Sequence, residues 1–308
     1  MTTMTAPSPA PSPASASTGA PIGLDEAQRY CTDLTKRSGS NFYYSFFFLS
    51  PDRRSAMYTV YAFCKEVDNA VDEPPPGSNP QAELARWRAE LTAAYHGTPT
   101  HPVTISLADH ARRFGIPQTL CEELIAGVEM DLTITRYQTF DDLYRYCYRV
   151  ASVVGLICLR IFGTHSPTAE HYAIDLGLAF QLTNILRDLA VDGDNGRIYL
   201  PLEDLARFHY TEADLLARRK TPAFDAMMAF QCQRARRYYA QARSALQSLP
   251  PADRRALTVA EIMRGVYSRI LDRIEGSQYQ VFGPRIRLSS AHRLGLAAAI
   301  WLRARRAT

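Results

Sequence analysis

The sequence predicts an all-α protein that folds as a single domain. From about residue 24 onward apolar residues recur at helical spacing, and no stretch alternates apolar and polar residues long enough to predict a strand. Glycine is also sparse, at 16 of 308 residues. Hydrophobic residues make up 46% and charged residues 21% of the chain, which is near the globular average and supplies a sizeable core.

Boundary signals divide the helical pattern into segments. Proline in the first turn favours a helix start, because its fixed φ suits the helix and its missing N–H would be unpaired there anyway. Clusters of proline and glycine supply breaks at 74–77, 97–99, 163–167, 193–196 and 250–251. The expected helices are 24–37, 51–72, 80–95, 105–114, 118–135, 140–162, 167–192, 202–208, 211–217, 221–249, 251–282 and 290–306. None of the connections is long enough to separate two domains, so we expect one domain over 24–308.

The first 23 residues are rich in proline, alanine, serine and threonine and contain no lysine or arginine. This composition predicts a disordered tail over 1–23 rather than a signal peptide. The six cysteines are scattered without a C-x-x-C pair, so neither a zinc site nor a disulfide framework is indicated. No apolar run is long enough to span a bilayer, and we expect a cytoplasmic protein. A net charge of +4, spread along the chain, gives no reason to expect a nucleic-acid partner.

Two aspartates end the predicted helix 51–72. Asp68 and Asp72 are four residues apart, which places both carboxylates on one face of the helix, one turn from each other. Such a pair can share a divalent cation, and its members repel each other when nothing neutralises them. A solvated acidic face is the more frequent explanation of a pair like this, so the spacing alone leaves both interpretations open.

The Asp68–Asp72 pair is one acidic stripe, and a second, longer polar stripe lies in the predicted helix 167–192. Gln181, Asn184, Asp188 and Asp192 step by three, four and four, so two amides and two carboxylates share one face of an otherwise apolar helix. Oxygen ligands of this kind suit Mg²⁺, which is usually held by one or two carboxylates together with substrate phosphates. A buried hydrogen-bond network, or a helix end frayed into solvent, would explain the stripe equally well.

The two stripes together favour a shared site. If the two helices face each other, Mg²⁺ ions between them could hold a diphosphate that the carboxylates would otherwise repel. Lys65, Arg187 and Arg197 lie close by in sequence and suit phosphate oxygens. Surface salt bridges are the alternative role for these three cations.

Four ordered motifs carry a family resemblance. They are Tyr-Tyr-Ser-Phe at 43–46, Tyr-Ala-Phe-Cys-Lys-Glu-Val-Asp-Asn-Ala-Val-Asp-Glu at 61–73, Tyr-Cys-Tyr-Arg-Val-Ala-Ser-Val-Val-Gly at 146–155, and Gln-Leu-Thr-Asn-Ile-Leu-Arg-Asp-Leu-Ala-Val-Asp at 181–192 continuing to Gly-Arg-Ile-Tyr-Leu-Pro at 196–201. On these motifs the sequence resembles the squalene and phytoene synthase family, the head-to-head prenyl diphosphate condensing enzymes, over nearly all of residues 40–288. The segments at 64–68, 129–132, 135–137 and 228–231 are more similar to the bacterial presqualene diphosphate synthases of hopanoid pathways than to phytoene synthases.

The resemblance implies an isoprenoid-synthase fold, a helical bundle around a central apolar cavity that binds two farnesyl diphosphates. Carried over to the matching positions, Asp68 and Asp72 form one Mg²⁺ site and Asp188 and Asp192 the other, with Asn184 as a further ligand. The implied substrate-binding residues are Phe46, Tyr61, Lys65, Gln181, Asn184, Arg187, Tyr267 and Arg285.

Two positions depart from the family pattern. Lys65 stands where many relatives have arginine, which keeps the charge but loses the bidentate fork. Asn69 stands where a second adjacent aspartate is common, so this position cannot supply an anionic ligand.

The implied reaction joins two farnesyl diphosphates into presqualene diphosphate, a cyclopropane, with loss of one diphosphate and one proton. Tyr146 matches a family tyrosine near the reacting carbons and could relay the proton. Its ordinary pKa, about 10, makes it a poor base unless the released diphosphate assists, and packing is the alternative role for this side chain.

The sequence is compatible with three other functions. A phytoene synthase would join two geranylgeranyl diphosphates at the same metal site, and a full squalene synthase would reduce the cyclopropane with NADPH. A non-catalytic helical subunit of an isoprenoid enzyme assembly would keep only the fold. The four intact aspartates argue against that subunit, because it would gain nothing from clustered acids.

Two further expectations concern apolar residues. Large side chains should line the cavity and small ones should leave room for hydrocarbon, namely Phe46, Phe47, Tyr61, Val154 and Leu156 in the first group and Ala151, Ser152, Gly155, Gly177 and Ala179 in the second. The predicted helix 290–306 combines Leu294, Leu296, Ala297, Ile300 and Trp301 with several arginines. It could lie peripherally in the headgroup layer on the inner face of the membrane, although packing against the domain is the favoured interpretation.

Overall fold

The computed structural model describes residues 22–39 and 43–306. It confirms the all-α prediction, since no strand forms within these ranges and the one isolated bridge joins Arg136 to Ile198. Residues 1–21 of the expected tail lie outside the described residues. The helices are Leu24–Arg37 (α1), Pro51–Asp72 (α2), Pro80–His96 (α3), Pro102–Phe114 (α4), Gln118–Met130 (α5), Phe140–Cys147 (α6), Val153–Phe162 (α7), Pro167–Asp194 (α8), Leu202–Arg207 (α9), Glu212–Leu216 (α10), Pro222–Ser248 (α11), Pro251–Ala256 (α12), Thr258–Gly276 (α13) and Ser290–Arg306 (α14). A short 3-10 helix, Tyr43–Phe48, precedes α2.

Two predicted helices are shorter than expected. α5 ends at Met130 rather than at residue 135, because residues 131–134 form turns whose N–H groups bond back to the last carbonyls of the helix. The segment expected over 251–282 divides into α12 and α13 at Leu257 and ends at Gly276. Gln278 and Tyr279 adopt φ values of 52° and 59°, through which a right-handed helix cannot continue.

The helix expected over 140–162 is continuous and contains one irregular turn. A π-helical segment, Tyr148–Ser152, joins α6 to α7. Such a turn accommodates one extra residue and re-aims the side chains that follow it.

The central element is α8, whose N-terminus is fixed by Pro167 in the first turn and by Ser166, whose hydroxyl accepts the Ala169 N–H at 3.2 Å. The helix packs against α7, α11, α13 and the π-helical segment. Gly177 permits a close approach, because a Cβ at this position would lie 2.5 Å from the Ser152 Cα. Buried apolar side chains therefore surround α8 on most sides until its last turns.

The C-terminal helix α14 packs on the domain. Leu296 and Ile300 lie against Gly265 of α13, and the Trp301 ring lies 5.8 Å from that of Phe48 in the 3-10 helix. Ala297 is buried as well. Among the described helices, none is long and apolar enough to cross a membrane.

Candidate active site

An apolar cavity of about 230 Å³ lies between α2, α7, α8 and α13. Large residues on its wall include Phe46, Tyr61 and Val154, as expected, and the small residues expected there include Ala151, Gly155 and Gly177. The remaining lining residues are Met57, Val60, Cys64, Val150, Cys158, Leu159, Phe162, Tyr172, Ala173, Leu176, Phe180, Gln181, Asn184, Leu257, Ala260 and Met263. These side chains surround a space suited to hydrocarbon.

Four residues expected on the cavity wall lie elsewhere. Phe47 is 45% exposed, because neighbouring residues of a 3-10 helix point in different directions and Phe46 takes the inward one. Leu156 lines a separate surface pocket. Ser152 is buried and donates to the Ile174 carbonyl at 2.8 Å, whereas Ala179 is buried but does not line the cavity.

The carboxylates of both stripes lie beyond the same end of the cavity. On α2, Tyr61 and Cys64 line the cavity, and Asp68 and Asp72 follow one and two turns later. On α8, Gln181 and Asn184 line it, and Asp188 and Asp192 follow in the same way. An ion pair joins the two elements, since Arg197 Nη1, just after α8, donates to Asp72 Oδ1 at 2.7 Å. We call this end of the cavity, with its charged residues, the mouth.

Asp188 is held by two arginines. Arg187 donates to its two oxygens at 2.8 and 2.5 Å, and Arg285 does so at 2.8 and 2.6 Å. Burial alone would raise the pKa of Asp188, but the hydrogen bonds from both guanidinium groups outweigh it and the pKa is lowered. The structure thus brings Arg285, from beyond the end of α13, to the same carboxylate as Arg187.

Two other carboxylates of the mouth, Asp192 and Asp68, are less well compensated. Burial and the charges of Asp188 and Asp131 raise the pKa of Asp192 to about 7, and no cation of the described residues lies within ion-pair distance of it. Burial, and then Asp72, also raise the pKa of Asp68, although Lys65 Nζ lies 3.4 Å from Asp68 Oδ2. Additional positive charge beside Asp192 and Asp68 would therefore be electrostatically favourable.

Polar side chains of α8 and α13 continue from the mouth into the cavity. Asn184 Nδ2 donates to Gln181 Oε1 at 3.4 Å, and the buried Asn184 Oδ1 has no hydrogen-bond partner among the described residues. The Tyr267 ring stacks on Phe180 with centroids 4.5 Å apart, and its hydroxyl lies near Arg187. The residues expected from sequence to bind substrate therefore lie around one space.

The donor set fits Mg²⁺ by its chemistry. The candidates are hard oxygen atoms, namely the carboxylates of Asp68, Asp72, Asp188 and Asp192 and the unpartnered Asn184 Oδ1. Within the described residues no three His, Cys, Asp or Glu side chains are gathered closely enough to hold a metal by themselves.

One cluster at the mouth was not anticipated from sequence. The Asp131 carboxylate accepts the Tyr146 hydroxyl at Oδ2 and the Tyr199 hydroxyl at Oδ1, both at 2.9 Å. Burial raises the pKa of Asp131 to about 6, although Arg197 and the two hydroxyl groups favour its anion. The signal in the sequence was Asp131 within the family-like segment 129–132, although helical periodicity placed this residue inside the helix expected over 118–135.

A family model described as squalene/phytoene synthase matches residues 35–292 of the chain. The chain belongs to the squalene/phytoene synthase family. This confirms the resemblance that the four sequence motifs predicted, and with it a transferase of isoprenoid biosynthesis.

Individual family members agree with this assignment. Phytoene synthase from Arthrospira platensis is 37% identical over 298 residues, which cover 92% of this chain and 96% of the relative. The 15-cis-phytoene synthase from Synechocystis sp. is 35% identical, and the match covers 91% of this chain and 86% of the relative.

Solved structures of the family confirm the isoprenoid-synthase fold. Squalene synthase HpnC from Alicyclobacillus acidocaldarius has a TM-score of 0.76 at 30% identity, over 83% of this chain and 95% of that chain. A dehydrosqualene synthase in complex with a ligand has a TM-score of 0.80 at 26% identity, over 92% of this chain and 98% of that chain.

Proposed function

We propose that this protein condenses two farnesyl diphosphates head to head into presqualene diphosphate and releases diphosphate. The observation that supports the proposal is the polarity of the cavity, which is apolar along its length and charged at its mouth. A prenyl diphosphate has the same division between an apolar chain and a charged head. The carboxylates of the mouth would repel that head unless cations enter with it.

We propose that the cations are Mg²⁺ ions, held by Asp68 and Asp72 on α2 and by Asn184, Asp188 and Asp192 on α8. When bound, Mg²⁺ would neutralise the diphosphate and favour its departure as a leaving group. The raised pKa of Asp192 and the unpartnered Asn184 Oδ1 support this assignment, because both groups would gain a partner.

The chain's own side chains would bind and orient the two substrates. Lys65, Arg187, Arg197 and Arg285 lie where they can donate to phosphate oxygens. The cavity wall, including Phe46, Tyr61 and Gln181, would hold the chains next to each other and keep water from the allylic cation. Tyr267 would add a hydroxyl near the guanidinium of Arg187.

A second candidate is the condensation of two geranylgeranyl diphosphates. The curated relatives favour it, because those with the names phytoene synthase or 15-cis-phytoene synthase are 33–37% identical to this chain. The farnesyl substrate is favoured by the motifs at 64–68, 129–132 and 228–231.

Product analysis separates the candidates. Purified protein is incubated with Mg²⁺ and each diphosphate, with and without NADPH. We expect a C30 product that keeps one diphosphate and forms without NADPH. A C40 product formed far more efficiently would support the phytoene synthase alternative, and a neutral C30 hydrocarbon as sole product would contradict the proposal.

Substitution of one aspartate in each stripe tests the metal assignment. Asp68→Asn and Asp188→Asn should each lower turnover at least about 100-fold, because the charge that holds Mg²⁺ is lost while side-chain volume is kept. Asp33→Asn, on the exposed face of α1, is the matched control and should leave turnover unchanged. Turnover near the normal rate in both site variants would contradict the assignment.

We further propose that α14 contacts an anionic membrane surface. Leu294 and Leu302 are 44% and 48% exposed, and the sequence of α14 contains arginines but no acidic residue. A long-chain product is poorly soluble, so its release into lipid would follow from such a contact.

A further inference from the structure

The cluster formed by Asp131, Tyr146 and Tyr199 is held by the local backbone. The turns after α5 place Asp131 directly behind Met130, with the Ile134 N–H bonded to the Met130 carbonyl at 2.8 Å. The chain then pairs with the segment that follows α8, since the Ile198 N–H donates to the Thr135 carbonyl at 3.0 Å. This pairing fixes Tyr199 next to the Asp131 carboxylate.

The rings around Asp131 are packed as a group. Tyr146 and Tyr199 stack with centroids 5.1 Å apart, and Tyr137 stacks on Tyr199 at 5.9 Å. All three side chains are at least 93% buried. The Tyr146 hydroxyl donates to Asp131 Oδ2 at 2.9 Å and lies as donor 3.3 Å from the Tyr199 oxygen, so the lone pairs on its own oxygen are not used by either contact.

The cluster adjoins the charged mouth and the helix that lines the apolar cavity. Val150 and Ala151, one turn after Tyr146 on the same continuous helix, line the cavity. On its other side Asp131 is close enough to Asp72, Asp192 and Arg197 to interact with their charges. The Tyr146 hydroxyl is therefore bonded to a carboxylate beside the mouth and belongs to a residue one helical turn from the cavity wall.

We propose that Asp131 is the final acceptor of the proton lost on ring closure and that Tyr146 relays the proton to it; this inference rests on the proposed condensation. The C–O bond of the donor breaks, and diphosphate leaves with the electron pair. The acceptor double bond then forms a new C–C bond, and the C–H electron pair at the donor C1 closes the cyclopropane. The proton goes to Tyr146 Oη while the Tyr146 hydroxyl proton moves to Asp131 Oδ2.

The chemistry of the two groups supports this order. Burial, followed by the charge of Asp131, raises the pKa of the Tyr146 hydroxyl well above its usual value, so it remains a neutral phenol. A neutral phenol can accept a proton only if it gives one up in the same step. Asp131 is the carboxylate within hydrogen-bond distance, and Tyr199 holds the second oxygen of that carboxylate in place. Asp131 therefore acts through Tyr146 as a positioning and proton-accepting residue.

The test compares two products of the same reaction. Ionisation of the donor precedes loss of the proton, so Asp131→Asn should lower formation of the cyclopropyl diphosphate by about 10²–10⁴-fold. Release of inorganic diphosphate should fall much less, with open-chain alcohols formed when water captures the cation. The ratio of diphosphate released to cyclopropyl product, near one in the unchanged protein, should rise steeply.

If Asp131 has only a structural role, Asp131→Asn would lower diphosphate release and cyclopropyl diphosphate formation together. The ratio of the two would then stay unchanged, and that result would overturn the inference. Normal cyclopropane formation by Asp131→Asn would also overturn it, because the proton would then go to another acceptor such as the released diphosphate. If Asp131→Asn fails to fold, Tyr146→Phe keeps the ring, removes only the relaying hydroxyl, and is judged by the same ratio.

Tyr137→Phe is the matched control. It removes a buried hydroxyl from the same stack of rings, one that has no hydrogen-bond partner among the described residues, and both product yields should stay normal. A failure of the proposed function is recognised separately, because the unchanged protein would then form no cyclopropyl diphosphate from either prenyl diphosphate.

Discussion

Single residues at the mouth divide into compensated and uncompensated carboxylates. Asp188 lies between Arg187 and Arg285 and has a lowered pKa, whereas Asp192, one turn later, has a pKa raised to about 7. Nearby carboxylates and burial make the charged form of Asp192 unfavourable in the absence of added cations. The arrangement that would bind metal and diphosphate therefore costs stability in the metal-free protein.

The pH dependence of stability should reveal this cost. The pKa of Asp192 is about 7 in the folded protein and about 3.9 in an unfolded chain, so the folded state binds more protons between these values. Stability due to this group is therefore complete below about pH 4 and is lost as the pH rises towards 7. In EDTA, we expect the thermal midpoint of Asp192→Asn to fall less between pH 5 and pH 8 than that of the unchanged protein. In a separate assay with Mg²⁺, the variant should show a large loss of turnover.

Asp68 and Asp131, the other carboxylates of the mouth with raised pKa values, titrate in both proteins, so the difference between the two falls reports Asp192 together with its charge interaction with Asp131. Asp33→Asn, at an exposed position of α1, is the control and should follow the unchanged protein. An equal fall in the Asp192→Asn variant would contradict the raised pKa.

Sequence spacing brings some of the candidate site residues together and not others. Asp68 and Asp72, and likewise Asp188 and Asp192, could be placed on one helix face because four residues make about one helical turn, although spacing alone left open whether they form a site. Asp131 and Tyr199 are 68 positions apart, and they meet only because the segments after α5 and α8 pair. Local periodicity in the sequence cannot predict a contact between residues so far apart.

At the scale of elements, small residues decide how closely α8 can pack. A Cβ at Gly177 would lie 2.5 Å from the Ser152 Cα and 2.7 Å from the Ser152 N, both in the π-helical segment. These are backbone atoms, so no side-chain rotation can relieve the clash. The same glycine lines the cavity, which ties helix packing to the shape of the site.

Gly177→Ala should therefore destabilise the protein by about 1–3 kcal/mol through overpacking, despite the better helix propensity of alanine. Urea unfolding measures the change. Gly295→Ala, in α14, is the matched control because nothing lies within 4 Å of a Cβ there, and it should be neutral or stabilise by up to about 1 kcal/mol. Equal effects of the two substitutions would contradict the packing argument.

Helix boundaries show the same limit of sequence reasoning at this scale. The helical pattern over 118–135 and 251–282 was correctly identified as helical in its larger part, yet the chain leaves the helix at Met130 and again at Gly276. In the first case the turn brings Asp131 to Tyr146, and in the second the chain continues to Arg285 at the mouth. Both departures depend on tertiary contacts that helical periodicity does not contain.

At the scale of the whole molecule, the cavity runs from the charged mouth to the elements that carry α14. Phe46 of the 3-10 helix and Met263 of α13 line the cavity, and α14 packs on these same two elements. Phe47 is 45% exposed next to Phe48, whose ring contacts Trp301. Most of the apolar face of α14 is thus used for packing, as the favoured interpretation expected, and a smaller exposed apolar surface remains beside it.

Introducing negative charge at that exposed surface tests the membrane contact without removing the packed face. Deletion of α14 would uncover the surfaces of Leu296 and Ile300, so point substitutions are the better probe. Leu294→Glu with Leu302→Glu should weaken co-sedimentation with anionic phospholipid vesicles, because two exposed apolar side chains are lost and two negative charges face the lipid.

Single-turnover chemistry in this double variant should be unchanged, since neither side chain lines the cavity, whereas repeated turnover in the presence of vesicles should slow if product leaves into lipid. Leu24→Glu, on α1, replaces a leucine that is 39% exposed and serves as the matched control, with normal vesicle binding expected. Binding of the double variant at the level of the unchanged protein would mean that α14 is only a packing element and that the product leaves by another route.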